Sequence, residues 1–214
     1  PYKPAKEFKK RVAYFSMEFA IHQDLHIYSG GLGFLSGSHM RSAYELKQNM
    51  IGIGMLWKFG YYDQERNADQ TLGINFVERH YDFLEDSGIE VEVQLHDNPH
   101  VKVKAYVLKP EIFGTVPMYF LSTDVEGNDH ISRTITNHLY DANELTRISQ
   151  SIVLGIGGAK VVEALGGADI YHLNEGHGLP AFYYLRDRGV TKEQMVFTTH
   201  TPEKAGNEER DGKH

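Results

Sequence analysis

The feature that most constrains the fold is a glycine-rich turn between an apolar run and a segment with helical spacing. The turn reads Gly30-Gly31-Leu32-Gly33, the apolar run is Val12–Phe15, and apolar residues recur with helical spacing over 35–46. Glycines at this place let the backbone turn tightly and let the first N–H groups of the helix approach an anion. The spacing G-G-x-G-x-x-x-G is not the G-x-G-x-x-G dinucleotide fingerprint. From the spacing alone, a bare turn and an anion site are equally compatible with this stretch.

Strand and helix patterns in the rest of the chain predict a doubly wound, Rossmann-like parallel α/β sheet. Strands predicted at 50–56, 168–173 and 195–201 alternate with helical patterns at 145–165 and 180–188. Three glycines interrupt the longer helical pattern, and they indicate either close packing on a neighbour or a break in the helix. These are Gly155, Gly157 and Gly158.

In the middle of the chain, apolar residues recur with a different period. Residues 89–93 and 101–107 alternate between apolar and polar types, and 116–122 is mostly apolar. We therefore predict an antiparallel excursion attached to the parallel sheet. The aromatic segment 57–69 is predicted to be an exposed loop or short hairpin, whose rings can stack on a sugar.

Composition narrows both the class of protein and the class of partner. The 214 residues suffice for one substantial core, and 41% hydrophobic with 24% charged residues is ordinary for a soluble globular protein. A formal net charge of -7 argues against nucleic acid as the main partner. No apolar run approaches the roughly 20 residues of a membrane span, so no membrane partner is expected. The absence of cysteine excludes disulfides and thiolate chemistry, and we expect a cytoplasmic protein.

Polar clusters follow the predicted strands of the sheet. They are Glu18, the glycine turn, Asp124, 174–177 (Asn-Glu-Gly-His) and 199–201 (Thr-His-Thr). Ligands in doubly wound sheets bind at the carboxyl ends of the strands, so one crevice is expected to collect these clusters.

The residue types leave more than one chemistry open. Glu18 and Glu175 are a candidate carboxylate pair for glycoside hydrolysis, and both equally suit hydroxyl binding or helix capping. No G-x-S-x-G motif for a nucleophilic serine occurs. Two histidine pairs have the spacing of metal ligands but fall in predicted loops without a carboxylate motif, so no metal site is predicted. The pairs are His22 with His26 and His96 with His100.

Four blocks occur in order along the chain: 15–19 (Phe-Ser-Met-Glu-Phe), 28–33 (Tyr-Ser-Gly-Gly-Leu-Gly), 172–177 (His-Leu-Asn-Glu-Gly-His) and 198–202 (Thr-Thr-His-Thr-Pro). Together they resemble the α-glucan phosphorylases of glycogen, starch and maltodextrin, most closely their shorter bacterial and archaeal branch. The resemblance covers nearly the whole chain, from Arg11 to Gly206. Four ordered blocks are more specific than any single motif.

The resemblance implies a glycosyltransferase of the two-Rossmann-domain (GT-B) type. Such an enzyme transfers glucosyl from α-1,4-glucan to phosphate and yields glucose 1-phosphate. The resemblance also implies that His200 contacts the transferred glucose, and that the backbone carbonyl of His200 faces the developing oxocarbenium charge. The implied phosphate-binding loop is Gly30, Gly31, Leu32 and Gly33, and the implied substrate-binding residues are Glu18, Asn174, Glu175, His177 and Thr201. Both glutamates are then positioning groups, because a retaining transfer of this kind needs no carboxylate nucleophile.

The resemblance also implies parts that the sequence lacks. In this family a lysine of the C-terminal domain holds pyridoxal 5'-phosphate, and neither that lysine nor its domain is in this chain. We therefore expect 1–214 to be a single truncated N-terminal Rossmann-like domain of a two-domain enzyme, inactive alone, with the polar run 206–214 as a cut end. Expected partners are α-1,4-glucan, phosphate, glucose 1-phosphate, the missing C-terminal domain and a possible second copy of the chain. Ser151 and Gly178 stand where the family usually has Glu and Ser.

Three other functions stay open at this point. The missing half is compatible with a non-catalytic glucan-binding or assembly module. A glycogen- or starch-synthase-like transferase also opens with a strand and a similar glycine loop, but the blocks at 172–177 and 198–202 argue against it. A nicotinamide-dependent oxidoreductase is disfavoured because the dinucleotide fingerprint is absent.

Overall fold

Nine strands and six α-helices occur in the described part of the chain, residues 2–202 of a computed structural model. The strands are β1 (Val12–Phe15), β2 (Met50–Met55), β3 (Asp63–Arg66), β4 (Leu72–Asn75), β5 (Glu85–Val93), β6 (Val101–Leu108), β7 (Met118–Ser122), β8 (Ile170–Asn174) and β9 (Met195–Thr198). The helices are α1 (Gly31–Glu45), α2 (Pro110–Phe113), α3 (His130–Arg133), α4 (Glu144–Ile152), α5 (Gly158–Ala164) and α6 (Pro180–Asp187). None of these helices has the length and apolarity needed to cross a membrane. The predicted cut end at 206–214 lies outside the described residues.

Seven of the strands form one sheet in the order β5-β6-β7-β2-β1-β8-β9. The five strands from β7 to β9 are parallel neighbours, whereas β5 and β6 extend the sheet in antiparallel fashion beyond β7. The strands β3 and β4 pair with each other as a separate hairpin. The predicted α/β architecture, a mostly parallel sheet with an antiparallel excursion, is confirmed.

Helices cover both faces of the parallel strands. Successive side chains of a strand point to opposite faces, and on β1 the Tyr14 ring lies 4.8 Å from the ring of His39 on α1. The next side chain, Phe15, packs instead against α5 at Gly158. All six residues of β2 are buried, as expected for a strand that is covered on both sides. The sheet is therefore doubly wound, and its loops project from its two ends.

The long helical pattern at 145–165 is one continuous helix with an irregular centre. A π-helical turn, Val153–Gly157, joins α4 to α5. A side-chain carbon at Gly155 would lie 2.7 Å from the Ala181 nitrogen and 2.8 Å from the Gly178 oxygen. Of the two predicted explanations for the glycines, close packing is confirmed at Gly155, and the α-helix is also interrupted there.

Three predicted details differ from the structure. The first helix starts at Gly31, within the glycine turn, although the apolar spacing begins only at Leu35. The prediction that Trp57 belongs to an exposed aromatic segment is wrong, because this side chain is fully buried and its Nε1–H donates to the Met17 oxygen at 3.0 Å. A large ring that directly follows a buried strand extends the core, and its one polar atom finds a backbone partner. The hairpin predicted in this region starts later, at Asp63.

We expect Gly155→Ala to lower the free energy of unfolding by about 1–3 kcal/mol, because the methyl group would meet backbone atoms of the neighbouring segment. Urea unfolding monitored by circular dichroism measures this change. The matched control is Gly157→Ala in the same turn, whose methyl group would lie 3.4 Å or more from the Val93 and Val103 side chains. This control should be neutral or stabilise by up to about 1 kcal/mol. Equal losses in both variants would contradict the packing described for Gly155.

Candidate functional site

The sheet reverses its winding direction at β1. From there β2 and β7 lie on one side, and β8 and β9 lie on the other. In open α/β sheets, the crevice at the carboxyl ends of two such strands is the usual place for a ligand. Glu18 comes shortly after β1, Asn174 ends β8, Glu175 follows it, and 199–201 follows β9. The predicted convergence holds for these residues and for the glycine turn, as the hydrogen bonds below show.

Asp124 is the exception to that convergence. Its carboxylate pairs with Lys58 at 3.0 Å and with Arg133, beyond β7. The sequence prediction placed it correctly at a strand end, but β7 is two strands away from β1 in the sheet. It therefore belongs to a different cluster.

The Glu18 side chain fixes the glycine turn through hydrogen bonds. Its side chain is only 2% exposed. Its Oε2 atom accepts hydrogen bonds from the Ser29 nitrogen at 2.5 Å, the Ser29 hydroxyl at 2.9 Å and the Gly30 nitrogen at 3.4 Å. Its Oε1 atom accepts a hydrogen bond from the Tyr140 hydroxyl at 3.3 Å. This carboxylate is thus engaged by donors of its own chain, and it fixes the turn in front of α1.

Two N–H groups at the start of α1 remain available. The N–H groups of Gly31 and Leu32 donate to no acceptor within residues 2–202. The N–H of Gly33 donates to the Gly30 oxygen at 3.0 Å, and the N–H of Gly30 is directed at Glu18. Gly30, which the resemblance includes in the phosphate-binding loop, thus directs its N–H at the buried carboxylate of Glu18. The positive end of the helix dipole is presented by Gly31 and Leu32.

Asn174 connects β8 to α1 and to His200. Its Nδ2 atom donates to the Ser36 hydroxyl at 2.9 Å and lies 3.4 Å from the Ser16 hydroxyl. The two hydroxyls lie 2.9 Å from each other, and each also lies 2.9 Å from a carbonyl to which it can donate, that of Glu18 for Ser16 and that of Leu32 for Ser36, so each can accept from Asn174. This pattern fixes the orientation of the amide and points its Oδ1 at His200 Nε2, 3.2 Å away.

The orientation of that amide also sets the tautomer of His200. An amide oxygen only accepts hydrogen bonds, so the His200 nitrogen that faces it must carry the hydrogen. When the imidazole is neutral, its other nitrogen, Nδ1, is an acceptor. This nitrogen can therefore accept a hydrogen bond from a hydroxyl group, such as one of a sugar.

Glu175 fixes the segment that carries His200. Its carboxylate accepts hydrogen bonds from the His200 backbone nitrogen, from the Thr199 hydroxyl at 3.2 Å and from the Thr201 hydroxyl at 3.4 Å. The Glu175 backbone has φ 63 and ψ 178, a region that residues other than glycine rarely occupy. Such strain costs about 1–3 kcal/mol and concentrates at functional sites. Since both Glu18 and Glu175 are engaged internally, the structure favours positioning roles over those of a glycosidase acid and nucleophile.

Tyr140 is a residue of the site that the sequence analysis missed. Besides its bond to Glu18, its ring lies 5.7 Å from that of His177 and 6.5 Å from that of Tyr61. Burial, together with the charge of Glu18, raises the pKa of its hydroxyl far above the ordinary value, so the hydroxyl stays protonated and donates. Nothing in the irregular segment around Tyr140 signals a contact with a residue 122 positions earlier.

The two departures from the family pattern lie in the packed interior. Ser151 is buried, and its hydroxyl donates to the Arg147 oxygen at 3.1 Å. Its neighbour Gln150 donates to the carbonyls of Ile135 and His138, which lie on the segment leading to Tyr140. A side-chain carbon at position 178 would come within 3.3 Å of Leu173, so a serine would require a small shift of that leucine.

The histidines whose spacing is that of metal ligands contact other side chains in the structure. The His22 ring stacks on Phe113 at 4.4 Å, and His100 pairs with Glu92 at 3.0 Å. No group of three or more metal-binding side chains occurs within residues 2–202.

Two partly buried histidines lie beneath the site, between α1 and the sheet. The His39 and His172 rings are 4.8 Å and 4.9 Å from the Tyr14 ring, and His172 Nε2 lies 2.7 Å from the Thr198 hydroxyl. Burial and the neighbouring His39 lower the pKa of His172 to about 4. Burial also lowers the pKa of His39. Both rings are therefore neutral in the folded protein near pH 7.

Comparison with known proteins gives relatives over most of the chain, although no family model matches it. An uncharacterized protein of Methanocaldococcus jannaschii is 50% identical over 205 residues, which are 94% of this chain and 39% of that protein. A glycogen phosphorylase of Mycobacterium tuberculosis is 34% identical over 91% of this chain and 25% of its own length. A maltodextrin phosphorylase of Thermococcus litoralis is 35% identical over 94% of this chain and 26% of its own length. The chain thus spans between a quarter and two-fifths of the length of these relatives.

We expect the folded state to lose stability as the pH falls from about 6.5 to about 4. Over this window the unfolded chain protonates His172 while the folded chain does not, so the unfolded state gains protons and is favoured. Because the ring is only partly buried, the loss should be at most about 2 kcal/mol. Urea unfolding at a series of pH values measures it.

The variant His172→Gln should flatten this pH dependence in part, leaving the contributions of His26, His39 and His138, whose pKa values burial also lowers. The matched control is His100→Gln at an exposed position, which should keep the slope of the native protein. An unchanged slope in His172→Gln would show that this ring titrates normally in the folded state.

Proposed function

Because the chain is homologous to glycogen and maltodextrin phosphorylases, we propose that it forms the N-terminal part of an α-1,4-glucan phosphorylase. The proposed reaction transfers a glucosyl unit from the glucan to phosphate and yields glucose 1-phosphate. The observation that carries the proposal is the meeting, at one crevice, of free helix N–H groups with a fixed Asn174–His200 pair. The first group suits an anion, and the second suits sugar hydroxyls.

The phosphate is proposed to bind at the start of α1. Gly31 and Leu32 supply two N–H donors, and the helix dipole adds partial positive charge at the same place. Glu18 restrains the turn through Ser29 and Gly30, so the two donors are held in place before the anion arrives. The negative charge of Glu18 repels a bound phosphate, but the hydrogen bonds that this carboxylate accepts from its own chain reduce the repulsion.

The glucosyl unit is proposed to contact His200. With Nε2–H held by Asn174, the Nδ1 atom of this ring accepts a hydrogen bond from a sugar hydroxyl. Glu175 binds the backbone nitrogen of the same residue, which sets the position of its carbonyl relative to the developing positive charge. Neither glutamate attacks the sugar in this proposal; both hold the groups that touch it. Thr201 and His177 complete the sugar-facing side of the crevice.

The residues of the site do not fit a covalent attachment of pyridoxal phosphate. The polar side chains that meet at the crevice within residues 2–202 are carboxylates, an amide, imidazoles and hydroxyls, and no lysine is among them. In the proposal the group belongs to a second, C-terminal domain of a GT-B enzyme, and this chain by itself is inactive.

Replacement of Gly31 by proline tests the proposed phosphate site. Proline removes one of the two donors, yet it is tolerated at the first position of a helix. We expect this variant to bind inorganic phosphate about tenfold or more weakly, as measured in an NMR titration by the amide chemical shifts of residues 32–34, which keep their N–H groups in the native protein and in the variants. The matched control is Gly31→Ala, which keeps the N–H and has no atom within 4 Å of the added carbon. Alanine should leave the affinity unchanged.

Two outcomes would contradict the proposal. One is a phosphate titration that does not move the amide signals of Gly31 and Leu32. The other is equal weakening by alanine and proline, because it would assign the effect to the shape of the turn and not to the missing donor.

A further inference from the structure

Tyr140 has a backbone conformation that a tyrosine rarely adopts. Its φ is 56°, in the left-handed region, where a bulky side chain is unfavourable and glycine is the usual residue. Strained residues of this kind persist where the surrounding structure fixes them, and they concentrate at functional sites. The chain therefore places a tyrosine side chain where the backbone alone would favour glycine.

Hydrogen bonds hold the backbone on both sides of Tyr140. Before it, the buried Gln150 side chain donates to the His138 oxygen at 3.0 Å. After it, the Arg147 guanidinium donates to the Asp141 oxygen at 2.9 Å. Helix α4 supplies both donors, so one rigid element imposes the strained conformation and sets the direction in which the tyrosine side chain leaves the backbone.

The Tyr140 side chain connects this segment to the buried carboxylate of Glu18. Its ring lies between those of Tyr61 and His177, with centroids 6.5 Å and 5.7 Å away. Its hydroxyl donates to Glu18 Oε1 at 3.3 Å. Burial, together with the Glu18 charge, raises the pKa of this hydroxyl, so it remains a donor near neutral pH.

The two oxygens of Glu18 bind different parts of the chain. Within residues 2–202, Oε1 accepts from Tyr140, and Oε2 accepts from Ser29 and Gly30 of the turn before α1. All these donors are neutral, so the buried charge is stabilised by hydrogen bonds alone. Because the two oxygens belong to one planar group, the bond to Oε1 also sets the direction in which Oε2 faces the turn.

We propose that Tyr140 is a positioning residue of the phosphate site: its hydroxyl orients Glu18 and, through it, the turn before α1. The two available N–H groups at the start of that helix are then held in place for the anion. The effect on the turn follows from the contacts themselves. Its consequence for phosphate rests on the proposed function.

Amide hydrogen exchange of Tyr140→Phe tests this inference without any ligand, since the variant loses the hydroxyl and keeps the ring. We expect exchange at Ser29 and Gly30 to become about threefold or more faster, because their acceptor is less firmly held, while the amides of β2 keep their native rates. The matched control is Tyr184→Phe, which removes a hydroxyl that donates to another carboxylate, Glu163, at 3.0 Å. It should leave the exchange of the turn unchanged.

Phosphate binding gives the second readout. The amide shifts of Gly31 and Leu32 should report about three- to tenfold weaker phosphate binding in Tyr140→Phe and native binding in Tyr184→Phe. In the complete protein, Tyr140→Phe should raise the KM for phosphate and leave the KM for the glucan unchanged, because the ring beside His177 is kept. A merely structural role would change both constants.

Native exchange rates at residues 29 and 30 in Tyr140→Phe would overturn the inference, and so would the same increase in Tyr184→Phe. A higher KM for the glucan with an unchanged KM for phosphate would also contradict it. Failure of the proposed function is distinguishable, because the native chain would then show no phosphate shifts at residues 31 and 32. The exchange rates would still decide whether Tyr140 positions the turn.

Discussion

The rest of the structure depends on the parallel pairing of β1 with a neighbour on each side. Phe15 at the end of β1 stands opposite Ile53 of β2 and opposite Leu173 of β8. This register brings the segments after β1 and β8 to one edge, where the direction of winding changes. Because parallel strands need crossover connections, the same pairing places α1 over the sheet with its first turn at that edge. The backbone arrangement alone therefore places the site at this edge of the sheet.

Two buried carboxylates fix the conformation of the loops at this edge. Glu18 fixes the turn before α1, and Glu175 fixes the segment that contains His200. Leaving a buried carboxylate without the donors that it binds is costly, so the loops are held more firmly than their glycines and polar residues suggest. Asn174 joins the two halves through Ser36 and His200. The two glutamates, whose residue type suggests a catalytic role, thus hold in place the groups that are proposed to touch the substrate.

Much of the fold could be predicted, because the strand and helix periods are local properties of the sequence. The alternation at 89–93 and 101–107 predicted antiparallel strands, and the apolar run at 50–56 predicted a strand buried on both faces. Contacts between distant segments could not be predicted from such patterns. The burial of Trp57, the capture of the Gly30 N–H by Glu18 and the approach of Tyr140 to the same carboxylate each join residues far apart in the chain. The family resemblance, by contrast, came from four short blocks, and the relatives confirm it.

The most direct test of the proposed function is phosphorolysis by the complete protein that contains this chain. Maltoheptaose and inorganic phosphate are supplied together with pyridoxal phosphate, and glucose 1-phosphate is measured. The account predicts glucose 1-phosphate that depends on phosphate and requires no sugar nucleotide. Transfer that occurs only with a sugar nucleotide, or glucan binding without any glucose 1-phosphate, would contradict it.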